Sequence, residues 1–168
     1  MNDAFEFGVR SVLFGVGATA TMDLWAALLR RFGVPSLDFA MLGRWLGHLR
    51  EGRFTHERIG QSAPVRGEAL LGWCAHYTIG VVFASLLLAV AGLEWARSPT
   101  LAPALLLGVV TVVAPLFVLQ PALGAGIASS KTPRPLFNTA KSLVTHVVFG
   151  LGLFLTARIS AWVEGGLR

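Results

Sequence analysis

Four stretches of this chain, at about residues 7–29, 69–93, 101–123 and 139–162, are each long and apolar enough to cross a bilayer. A helix rises about 1.5 Å per residue, so a hydrocarbon layer ~30 Å thick takes roughly 20 residues. Each stretch stops at charge or at helix breakers: Arg30 and Arg31, Glu68, Glu94 to Pro99, the Gly124–Gly126 and Pro133–Pro135 cluster, then Arg158 and Glu164. A soluble domain would bury such segments, but four of them in 168 residues leave no layer to cover them. The charged fraction is 14%, against roughly 25% in soluble domains. The expected fold is all-α: a four-helix transmembrane bundle forming one domain over residues 1–168, with the lipid bilayer as its main partner.

Other classes fall away quickly. One cysteine, Cys74, excludes a disulfide scaffold and any cysteine-built zinc or iron–sulfur site, and reads as a packing residue of the second span. The N-terminus opens with Asp3 and Glu6 rather than a basic region, so the first span is expected to stay in the mature chain rather than serve as a cleaved signal. No stripe of basic and aromatic residues builds a nucleic-acid surface, so no nucleic acid is expected as partner.

Ten of the fourteen Lys and Arg residues lie in the first and third connections or at the start of the fourth span. The remainder are Arg10, Arg97, Arg158 and Arg168. By the positive-inside rule both long connections are cytoplasmic and both termini periplasmic or external. Trp25, Trp45, Trp73, Tyr77, Trp95 and Trp162 sit near predicted boundaries and read as interface anchors.

Within the first connection, Leu37, Met41, Trp45 and Leu49 recur every fourth residue, with Leu42 and Leu46 alongside and Ser36 placed to cap. This predicts an amphipathic helix over about 36–50 lying on the membrane interface, with Arg44, His48 and Arg50 off the apolar stripe. A small soluble subdomain is the other possibility, against which the shortness of the connection argues. His48 and His56 are expected at the surface.

Ionisable groups inside a span are costly, which makes each a functional candidate. Asp23, His76 and His146 all fall about 10–12 Å inside the cytoplasmic boundary, and Gln120 approaches the same level. Asp23 shares a helix face with Thr19 and Gly15, His76 with Gly72, Gly80 and Ala84, and His146 with Asn138, Ser142 and Gly150. Small and hydroxyl residues let membrane helices approach closely, so these polar groups are expected to converge in one layer. Such a layer could only fix packing, as in an accessory or structural subunit, or it could carry a small solute, ion or proton. Four short helices enclosing a pathway would then call for a homodimer. Asp23, His76 and His146 also suit zinc, iron or manganese, and His76 with His146 a single b-type haem, although nothing in the sequence requires a cofactor. Pro115 is expected to kink the third span. The loop carrying Ser129, Ser130, Lys131 and Arg134 offers contacts for an anion but lacks the spacing of a phosphate-binding loop. No nucleophile–base pair with an orienting third group is visible, which leans away from an enzyme.

The phrases GVGATATMDLWAALLRRFGVPSLDFAMLGRWLGHL, APVRGEALLGWCAHYTIGVVFASLLL, GLEWARSPTLAPALLLGVVTVVAPLFVLQPALGAGIASSKTP and SLVTHVVFGLGLFL resemble the bacterial domain-of-unknown-function family 2938. The likeness runs from about Gly8 to Leu155. It implies a small multi-pass protein of the bacterial inner membrane without an established activity. Asp23, His76, Gln120 and His146 fall in these phrases, and the resemblance assigns none of them a role.

Overall fold

The computed structural model describes residues 2–166; Arg168, counted above on the outer side, lies outside them. Among the described residues the chain is helical with no strand. Its elements are α1 (Asp3–Arg31), α2 (Phe39–Leu49), α3 (Glu68–Arg97), α4 (Leu101–Leu123) and α5 (Pro135–Gly166). All but α2 are long and apolar enough to cross a membrane. The third span keeps the predicted bounds, and the other three run several residues past theirs. Polar residues carry them on: Asn2 caps α1 by accepting from the Ala4 N–H, Asp3 and Glu6 sit in its first turn, and Arg30 and Arg31 in its last. Those charges oppose the helix dipole at both ends. Pro135, at the first position of α5, starts that helix a turn earlier than the apolar pattern alone suggests.

The helices pack in the order α3, α1, α5, α4. Small residues mark the crossings. A Cβ on Gly15 of α1 would meet the Val81 and Gly80 backbone of α3, and one on Gly108 of α4 the Gly150 backbone of α5. Ala18 of α1 lies against Gly152 of α5. Phe14, Leu87, Leu88, Trp95, Phe149 and Leu153 fill the centre of the bundle and its terminal half. Meanwhile Leu24, Leu70, Val90, Leu106, Leu136 and Ile159 point outward and are exposed. No more than 33% of the most apolar window of any long helix is buried, an outer surface suited to lipid rather than water.

At the end carrying the termini, Glu6 is buried and its two oxygens accept from Arg10 and Arg97; Arg10 also reaches Glu164 at 2.7 Å. This network joins α1, α3 and α5, and so satisfies charges that burial alone would penalise. Trp95 is not an interface anchor. It is buried against Phe14 and donates to the Thr100 carbonyl. Cys74 is exposed rather than packed.

The first connection departs most from expectation. α2 starts at Phe39, capped by Asp38, while Ser36 accepts from Arg30 instead. The helix crosses the start of α3 backbone to backbone: a Cβ on Gly43 would run into the Glu68 carbonyl, and one on Gly72 into the Phe39 carbonyl. Leu42 is buried, but so are Arg44 and His48, which the apolar stripe had excluded. Arg44 grips Glu68 through two hydrogen bonds of 2.8 and 2.7 Å and donates to the carbonyls of Ile59, Gly60 and Ser62. The Glu68 carboxylate holds the Arg44 pKa above its ordinary value. His48 is no surface residue: its Nδ1 lies 2.9 Å from His56 Nε2, and the two rings stack. The His56 N–H bonds the Ala122 carbonyl, which fastens this connection to the end of α4. The polar segment that was too short to hold a core alone thus borrows one from the bundle.

Candidate functional site

Three polar clusters occupy the half of the bundle next to α2. In the first, His76 Nε2 lies 3.0 Å from Asp23 Oδ1, and the Tyr77 hydroxyl donates to Asp23 Oδ2 at 2.9 Å. Both carboxylate oxygens are therefore engaged. Phe39 of α2 stacks on the His76 ring at 4.2 Å, with Trp73 edge-on. Tyr77, expected as an interface anchor, is a partner of the half-buried Asp23.

The second cluster joins α4 to α5. Thr111 Oγ1 lies 2.9 Å from the Gly108 carbonyl and 3.0 Å from His146 Nδ1. A hydroxyl has one proton, and donating it to the carbonyl makes Thr111 the acceptor from His146 Nδ1–H. That leaves Nε2 as the free nitrogen of the neutral ring. Just beyond, Pro115 does more than kink α4. It cannot donate a helical hydrogen bond, and residues Ala114–Leu119 widen into a π-helical turn in which the Gln120 N–H reaches the Pro115 carbonyl.

The third cluster closes the end of the bundle. Gln120 donates to Ser142 Oγ and accepts from Ser129 Oγ, while Asn138 donates to Thr132. Ser129, expected to face an anion, is buried with its hydroxyl turned inward to Gln120. Ser130, Lys131 and Arg134 are exposed. Asn138 is drawn to the same loop rather than to His146.

Between the first two clusters lies a cavity of about 360 Å³. Every long helix and α2 contribute to its wall. Asp23, Thr19, His76, His146, Ser142 and Lys141 supply polar groups; Met22, Phe39, Leu42, Trp45, Phe83, Val118 and Phe149 supply much of the apolar remainder. Sequence reasoning found the three ionisable residues that line this space, but not the space between them. It also missed Lys141 at the wall and Tyr77 as a partner of Asp23. The signal for Tyr77 was present, since its neighbour His76 already faced Asp23. Asp23 and His76 do meet, whereas His146 pairs with Thr111. Among the described residues no three His, Cys, Asp or Glu side chains gather as metal ligands do. The Asp23, His76 and His146 ligand set is thus not assembled: Asp23 pairs with His76 and Tyr77, and His146 with Thr111.

Four helices long and apolar enough to cross a membrane, wrapped about a cavity with a few convergent polar groups, define an all-helical protein built on the plan of a small membrane bundle. More particularly, the chain belongs to the family described as protein of unknown function DUF2938, whose model matches residues 12–160. No curated protein and no solved structure matches it.

Proposed function

We propose that this chain is an integral protein of the bacterial inner membrane that binds, and as a small carrier passes on, a small and largely apolar solute held in the cavity beside Asp23, His76 and His146. The observation that carries this reading is the cavity itself. Its volume lies in the range of small-molecule sites, which are mostly apolar with a few placed polar groups. Thr19 also lines the cavity, with its buried hydroxyl turned against Gly80 of α3. Asp23, with both oxygens engaged, serves as fixed wall.

The test is the mass spectrum of small molecules extracted from protein purified in mild detergent. Wild type is expected to release a compound that Ala114→Phe, which fills the cavity from α4, does not release at equal protein yield. Identical extracts from the two would defeat the reading. The excess of Lys and Arg around α2 supports an orientation with both termini outside. An alkaline phosphatase fused after residue 168 is then expected to be active and a green fluorescent protein there dark; the reverse pattern would invert the topology.

A further inference from the structure

Resting on that reading of the cavity, we propose that its ligand is a single-chain anionic amphiphile, a carboxylate on an unbranched apolar tail, with Lys141 as the counter-charge. One acidic and one basic side chain line the space besides its histidines, Asp23 and Lys141. The Asp23 charge is answered by Tyr77 and His76. Lys141 is not answered in kind: its ammonium donates to the Pro35 carbonyl, and among the described residues no carboxylate lies within 4.0 Å of it. An ammonium has three donors, so two remain for a ligand.

Ser142, the next residue and also at the wall, accepts from Gln120 and keeps its own proton. A charged donor and a neutral one therefore stand side by side at the start of α5, matched to one negative charge. Beside Asp23, His76 and His146, the wall offers Ile79, Phe83, Val118, Leu119 and Phe149, which can cover a hydrocarbon tail. A space of about 360 Å³ suits one short tail, and the single-chain amphiphile is proposed on that ground over a phospholipid.

Trp45 borders the cavity and can report on it. Full-length protein in a non-ionic detergent would be titrated with terminally brominated dodecanoate, with brominated dodecanol and with a brominated phospholipid. Quenching of Trp45 is read as the difference between wild type and Trp45→Phe. The expected result is saturable quenching by dodecanoate about tenfold tighter than by the alcohol, with the preference lost in Lys141→Gln and kept in Lys141→Arg. Equal affinity for acid and alcohol, tighter binding of the phospholipid, or indifference to Lys141→Gln would overturn the ligand class. In those cases sensitivity to Ala114→Phe would leave the cavity reading standing. Quenching that Ala114→Phe does not reduce would overturn both.

Discussion

Replacing Glu68 with alanine is expected to destabilise the protein by about 3–5 kcal/mol, the usual consequence of removing one partner from a buried ion pair. Arg44 has a side chain only 10% exposed, and Glu68 answers it through both carboxylate oxygens. The same carboxylate accepts from the Val65 N–H at the start of α3. With Glu68 gone, the guanidinium keeps only the carbonyls of Ile59, Gly60 and Ser62, at 3.2–3.4 Å. Relieving the charge then requires α2 to lift from α3. Unfolding by sodium dodecyl sulfate, followed by circular dichroism, would measure the loss. The double variant Arg44→Met with Glu68→Met should recover most of it, because the stranded charge rather than the lost attraction dominates. A Glu68→Ala protein within about 1 kcal/mol of wild type would show that Arg44 finds water.

Gly15→Leu is expected to cost about 1–3 kcal/mol or more, since overpacking displaces elements that cannot relax. The atoms in the way are backbone: a Cβ at Gly15 would sit 2.7 Å from the Val81 nitrogen and 2.8 Å from the Gly80 carbonyl oxygen. No rotamer change removes them, so α1 and α3 must part. Two turns along the same crossing lie Asp23, His76 and Tyr77, whose hydrogen bonds depend on that separation. The variant should therefore lose the cavity as well as stability, and both unfolding and Trp45 quenching would report it. Gly8→Leu, on the same helix with nothing within 4 Å of its Cβ, is the matched control and should be neutral. Equal behaviour of the two would mean that the crossing is not a close one.

Much of the bundle was legible because lipid imposes a rule on every residue of a span. Length and hydropathy place the helices, and their charged flanks mark the ends. Periodicity puts Gly15, Thr19 and Asp23 on one face and Gly72, His76 and Gly80 on another; Gly80 and His76 do meet the first face, while Gly72 packs against α2. The connection after α1 was not legible for the opposite reason. There the apolar stripe of α2 predicted which side would be buried, yet the side holding Arg44 and His48 went inward too. Its charge is matched by Glu68, 24 residues away, and its imidazole by His56. A polar residue's burial depends on who its partner is, and no periodicity within one helix names a partner on another. The network of Glu6, Arg10, Arg97 and Glu164 escaped notice on the same ground.

From the chain alone come the four helices, their apolar outer surface, and the choice of Asp23, His76 and His146 as the ionisable residues within them. These follow from local composition and the rise of a helix, which need no knowledge of neighbours. Only the tertiary structure decided that Asp23 binds His76 and Tyr77, that His146 turns to Thr111, and that a cavity edged by Lys141 separates them. A void is a property of how helices fail to touch, and that is set by where glycines let them come close and where a π-turn pushes them apart.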